Sequence, residues 1–162
     1  NEKLSQAKCI ASLCKEYNSL FVVNDRIDIA LAVDADGIHL GQEDIPTKIA
    51  RELLGTEKII GRSTHCLEEI KNAEEEGCDY IGIGPIFSSE TKKQLNPIGI
   101  DYLKKGLSET LLPAFAIGGM NKSNITKLNQ INNLRIAVCN AIINSNNPFS
   151  TTDELIKLLK CN

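Results

Sequence analysis

Two aspartates, Asp25 and Asp44, each stand just past a short apolar run: LFVV leads into Asn24-Asp25, and IHLG into Gln42-Glu43-Asp44. Carboxylates at neighbouring strand tips can share a Mg2+ ion, which prefers oxygen ligands, keeps several waters and bridges to substrate phosphates. Taken singly, each aspartate reads better as a helix cap, Asp25 for the segment 26–33 and Asp44 for the helix after Pro46. Taken together, and beside Asn24 and Gln42, they read as a metal site.

Other polar groups follow other apolar runs. Gly118-Gly119 ends FAI, and Cys139-Asn140 ends the run IAV. Glycine lets backbone N–H groups approach an anion, although a plain turn explains the pair equally well. Ser89, Thr91 and Lys92 lie in a long polar stretch, where hydroxyls and an ammonium suit a pyrophosphate and a loop could close over it. A solvated loop is the alternative. Ser63 and Thr64 end a strand and could hydrogen-bond a heterocycle or a leaving group. His39 sits inside the apolar run DGIHL and reads as a satisfied packing residue in preference to a base, while His65 just past a strand tip reads either way. No Ser-His-Asp or Cys-His nucleophile can be argued from spacing. The chemistry implied is metal-assisted displacement of pyrophosphate, with a second phosphorylated molecule held by the glycines.

These groups need elements to bring them together. Helical spacing marks residues 2–17, 26–33, 46–55, 67–77, 99–107, 122–132 and 151–160; short β-branched runs mark strands at 20–24, 36–40, 57–62, 78–84, 112–119 and 134–140. Six strands alternating with helices predict an α/β fold with parallel pairing. An open doubly wound sheet would load only a few strand tips with chemistry. Here nearly every tip is polar or glycine-rich, which favours a TIM (β/α)8 barrel. Eight units close such a barrel, so this reads as an incomplete barrel lacking about the first two strands, in one domain spanning residues 1–162. The chain starts at Asn1 and is helical at once, so the missing strand-helix-strand is expected to precede it.

Composition excludes other classes. Aromatics make up 4% with no Trp, and the net charge is −3, so neither a stacking platform nor a polyanion-binding face is expected, and nucleic acid is not a predicted partner. No apolar run reaches membrane-spanning length, which predicts a cytoplasmic protein without membrane contact. The 6 cysteines are scattered without a CxxC pair and read as free thiols. Oligomeric state is left open, with room for a homo-oligomer.

The strings VNDR (23–26), DGIHLGQED (36–44), GRSTH (61–65), DYIGIGPIF followed by TK (79–92), AIGG (116–119) and AVCNAI (137–142) resemble thiamine phosphate synthases in order and spacing. The resemblance covers essentially the whole chain. It implies a transferase of thiamine biosynthesis on a (β/α)8 barrel. That enzyme condenses 4-amino-5-hydroxymethyl-2-methylpyrimidine diphosphate with 4-methyl-5-(2-phosphooxyethyl)thiazole, giving thiamine phosphate and pyrophosphate. By resemblance, Asp25 and Asp44 match the Mg2+ ligands and Asn24 a pyrophosphate-side amide. Ser63 matches the serine beside the pyrimidine and pyrophosphate, and Lys92 a lysine that meets the pyrophosphate. Ser89 stands where the family usually has Thr, and Thr91 matches a residue that holds the thiazole phosphate. Gly119 with the Cys139-Asn140 backbone matches the thiazole-phosphate cradle, although Asn140 replaces the usual Ser. Ser63 and Lys92 are thereby the expected catalytic pair. The implied mechanism is dissociative: pyrophosphate leaves first, and the thiazole nitrogen captures a pyrimidine cation. The family's basic segment at the second strand tip is not in this chain. The alternative expectations are a thiazole tautomerase-like enzyme, which carries a histidine where this chain has Pro85, and a non-catalytic regulatory barrel that binds thiazole phosphate.

Overall fold

The structure, a computed structural model, describes residues 2–88 and 95–160. Its elements alternate almost throughout: α1 (Glu2–Glu16), β1 (Val22–Asn24), α2 (Ile27–Ala32), β2 (Gly37–Leu40), α3 (Thr47–Leu54), β3 (Ile59–Thr64), α4 (Leu67–Glu75), β4 (Tyr80–Ile83), α5 (Gly99–Ser108), β5 (Ala114–Ile117), a 3₁₀ turn (Ile125–Leu128), β6 (Arg135–Ala137), α6 (Asn140–Ile143) and α7 (Pro148–Lys160). The strands form one sheet in the order β1-β2-β3-β4-β5-β6. Every neighbouring pair is parallel. A doubly wound sheet reverses its strand order at a switch point. No reversal occurs here, and the six strands form a curled half-barrel.

The two faces differ in kind. Ile38, Leu40, Ile60, Ile81, Ile83 and Ala116 alternate along the strands and are almost wholly buried. They pack against Ala50 of α3, Ile70 and Ala73 of α4, Leu103 of α5 and Leu128 of the 3₁₀ turn. Apolar burial on this helix-covered face holds the sheet, at roughly 25 cal/mol per Å2 removed from water. The intervening residues point to the other side: His39, Gly61, Ser63, Tyr80, Gly82 and Phe115. In a curled parallel sheet that is the inner face. It carries polar groups and glycines where the outer one carries isoleucine.

One buried charge interrupts the outer face. Arg62, 8% exposed, donates to Thr47 Oγ1 at 3.2 Å and lies 3.7 Å from a Glu76 carboxylate oxygen. A buried cation persists only when paired and hydrogen-bonded, and Arg62 has both partners.

The glycines expected to end the helix over 46–55 and the one over 67–77 do so, with positive φ at Gly55 (83°) and Gly77 (78°). The helix expected over 122–132 is not formed. Asn121 N–H donates to Asn124 Oδ1, Ser123 N–H donates to Asn121 Oδ1, and both asparagine amides donate to Gly119 O. Such local side-chain bonds offer the backbone an alternative to helix, and only a 3₁₀ turn survives. The short helix α6 is an element that the sequence pattern does not announce. The five described cysteines are free thiols. Among the described residues, no helix is long and apolar enough to cross a membrane.

A methyl group at Gly61 would fall inside the Tyr80 ring. Gly61→Ala should therefore cost ~1–3 kcal/mol in urea denaturation, the range for forcing atoms into a packed site. In a Tyr80→Ala background the penalty should disappear; a penalty of the same size there would contradict the contact.

Candidate active site

Parallel strands in chain order place all their carboxyl ends on one edge of the sheet. At the end of β1, Asn24 pairs in register with His39. Asp25 follows in the left-handed region (φ 62°), and its N–H donates to His39 O at 2.9 Å. An aspartate tolerates that conformation better than most residues. Asp25 is not the cap of α2: the N-cap is Arg26. The Arg26 guanidinium instead pairs with Asp28, whose carboxyl it holds down at about 2 through a side-chain hydrogen bond.

At the end of β2 the chain makes a tight turn. Asp44 Oδ2 accepts the Gly41 N–H at 2.6 Å, which orients a half-buried carboxylate. It does not cap α3 either, whose N-cap is Pro46. The cap readings that competed for both aspartates are thus removed. Gln42, in the same turn, donates from Nε2 to Ser63 O at 2.6 Å and ties this loop to the end of β3.

Ser63 is half-buried on the inner face. Its Oγ lies 2.9 Å from His39 Nε2, and His39 Nδ1 lies 2.9 Å from the Tyr80 hydroxyl. The His39 and Tyr80 rings stack at a tilt of 33°, and Phe115 meets Tyr80 edge-on. Burial pushes the Tyr80 phenol up to about 12. The sequence pattern reads His39 as a satisfied packing residue, and the structure shows how it is satisfied: both ring nitrogens are engaged in a polar chain that ends on Ser63. Strand parity is the signal that could have found it, since Ile38 and Leu40 point to the helices and His39 must point inward. Tyr80 as a partner of His39, and Gln42 as a partner of Ser63, escape sequence reasoning because their contacts cross between strands. Of the other two polar residues at the end of β3, Thr64 bonds Gly82 O at 3.0 Å and is buried. His65 binds Glu69 through both its backbone N–H and Nδ1, at 2.7 and 2.9 Å, and so ties the end of β3 to the first turn of α4.

At the far side of the rim, the segment after β4 runs along the end of β5. Ile86 N–H donates to Ile117 O at 2.9 Å and Phe87 N–H to Gly118 O at 3.1 Å. Gly118 (φ 99°) and Gly119 (φ 67°) are required on two counts, conformation and space: a Cβ on Gly119 would lie 2.7 Å from Phe87 O. The approach brings Ser88 against Gly119. Ser89, Thr91 and Lys92, which follow it, lie outside the described residues. Cys139 is the exposed N-cap of α6 and Asn140 its first residue, both just past β6.

The structure therefore gathers Asn24, Asp25, Asp44, Ser63, Gly119, Cys139 and Asn140 on one edge of one sheet. Among the described residues no three His, Cys, Asp or Glu side chains cluster.

The family model for thiamine monophosphate synthase matches residues 1–142. The chain belongs to that family. It is 54% identical over 160 residues to the thiamine-phosphate synthase of one Prochlorococcus marinus strain, covering 99% of this chain and 46% of that relative. The chain thus spans about half the length of the curated relatives it matches. A thiamine phosphate pyrophosphorylase structure from Pyrococcus furiosus superposes with a TM-score of 0.89 at 38% identity, over 98% of this chain and 76% of that one. A 3-hexulose-6-phosphate synthase from Salmonella typhimurium shares the fold at a TM-score of 0.69 and 15% identity, over 94% of this chain and 79% of that one.

Because burial raises the Tyr80 pKa, the folded state holds that proton more tightly than the unfolded one. The contribution is fully present below pH ~10 and is lost as pH rises through about 12. An ultraviolet titration of the phenolates of the protein, which has 3 tyrosines, should show one ionising near 12 that vanishes in Tyr80→Phe. Normal ionisation of all three would contradict the burial.

Proposed function

We propose that this chain carries the catalytic rim of a thiamine phosphate synthase. The reaction joins 4-amino-5-hydroxymethyl-2-methylpyrimidine diphosphate to the thiazole phosphate, with release of pyrophosphate. The observation that carries the reading is the placement of Asp25, Asp44 and Ser63 at the ends of three adjacent strands, with Gly119 on the same edge two strands beyond. Membership of the family supports the substrates. The six strands would be six of the eight in a (β/α)8 barrel, with β1 and β6 as the edges that the remaining two complete. The free thiols fit a cytoplasmic setting.

On this reading each group has a part. Asp25 and Asp44 hold Mg2+, which when bound supplies positive charge for the diphosphate oxygens. Asn24, at the adjacent position, donates to the same diphosphate. Ser63 sits beside the pyrimidine and the bond to the leaving group. Lys92 meets the departing pyrophosphate from the loop after β4, with Ser89 and Thr91 presenting hydroxyls. Gly119 and the Cys139-Asn140 backbone hold the thiazole phosphate. An electron-rich aminopyrimidine bears the charge left when pyrophosphate departs, so the protein's task is to neutralise the leaving group and align the thiazole nitrogen. No general base is required.

The test is product formation by the intact protein from both precursors. Removing Mg2+ with a chelator should abolish thiamine phosphate, and readdition should restore it. Asp25→Asn and Asp44→Asn should each lower turnover by about 100-fold or more, the scale of several kcal/mol of lost charge stabilisation. Turnover unaffected by both substitutions would refute the assignment.

A further inference from the structure

The polar chain on the inner face has a direction, and the direction matters for Ser63. A neutral imidazole has one donor nitrogen and one acceptor nitrogen. His39 stands between two hydroxyls, Tyr80 at Nδ1 and Ser63 at Nε2, each at 2.9 Å. Only one of them can donate to the ring. A phenol ionises near pH ~10 and an alkyl alcohol far above it, so the phenol is the stronger donor and takes the single acceptor lone pair. The remaining nitrogen must then carry its proton toward Ser63.

We infer that Tyr80 and His39 are positioning residues that make the Ser63 hydroxyl an obligate hydrogen-bond donor toward an acceptor atom of the bound pyrimidine diphosphate. Tyr80 O–H donates to Nδ1, and Nε2–H donates to Ser63 Oγ. With that lone pair occupied by His39, the serine proton is available only to other acceptors. This is the reverse polarity of a serine activated by histidine, in which the serine donates and the ring accepts. It turns Ser63 from a would-be nucleophile into a hydrogen-bond donor for a charge that builds up as a leaving group departs.

The surroundings hold this arrangement in place. Gly61 leaves room for the Tyr80 ring, and a Cβ on Gly82 would already touch His39 Cε1 at 3.5 Å. The Ser63 carbonyl is clamped by Gln42, and the His39 carbonyl accepts from Asp25. The raised pKa of Tyr80 keeps its proton in place at neutral pH.

The inference rests on the reading of Ser63 as a substrate contact, but its first test needs no activity. The protein has 2 histidines, so the ring nitrogens of 15N-histidine-labelled protein can be assigned by comparison with His39→Gln. At neutral pH, long-range proton–nitrogen spectra should show His39 protonated on Nε2 and bare on Nδ1. A proton on Nδ1, or on both nitrogens, overturns the relay. In Tyr80→Phe the competing donor is gone, and the proton should move toward Nδ1 as Ser63 donates to the ring; an unchanged tautomer also overturns it. In turnover, Tyr80→Phe should lose about tenfold, a single hydrogen bond's worth, and lose nothing further in a Ser63→Ala background. Equal losses in both backgrounds contradict the relay. Full turnover in Ser63→Ala alone refutes the substrate contact itself, whereas a Ser63→Ala defect with the wrong tautomer refutes the relay and leaves the contact standing.

Discussion

Parallel pairing in chain order is the constraint from which the site follows. When six strands lie side by side in sequence and all point one way, whatever follows each strand arrives at the same edge. Asp25, Asp44, Ser63 and Gly119 are far apart along the chain, and no local interaction could bring them together. The outer face makes this possible. Isoleucine and alanine at alternate positions bury themselves against α3, α4 and α5 and fix the strands in register. A slip of one residue would exchange the faces and drive His39, Ser63 and Tyr80 into the helices.

The inner face is free to carry polar groups because the outer face supplies the core. Gly61 and Gly82 are costly in a strand, since they add chain entropy and bury little. Here they leave space that two aromatic rings fill, and those rings connect β2, β3 and β4 through side chains. The same division appears at the rim. Gly118 and Gly119 take conformations that other residues resist, and the segment after β4 can then lie against β5.

Much of the fold is legible in the sequence, and the reasons are local. Alternation of apolar residues marks each strand, glycines mark the ends of two helices, and the polar residues after each run mark the rim. The helix expected over 122–132 fails because Asn121, Ser123 and Asn124 bond the backbone in ways that periodicity does not register. For the site, residue type and position pick out Asp25, Asp44 and Ser63, yet the alternative role of the two aspartates as helix caps can be dismissed only from the caps themselves, Arg26 and Pro46. His39 reads as a satisfied packing residue, but what satisfies it is hidden: its neighbours in sequence are apolar, and its partners, Ser63 and Tyr80, are 24 and 41 residues away. The partner of a side chain across a sheet is set by register, and register is not written in any single strand.

The central claim is that two carboxylates at adjacent strand ends hold one divalent cation against a diphosphate. A crystal of the intact protein grown with Mn2+ and pyrophosphate tests it directly, since anomalous scattering locates the ion without reference to the protein. The account predicts a single manganese between Asp25 and Asp44, with pyrophosphate oxygens in its coordination shell and Ser63 at the diphosphate. Manganese bound elsewhere on the chain, or pyrophosphate at the rim with neither aspartate contacting an ion, would contradict it.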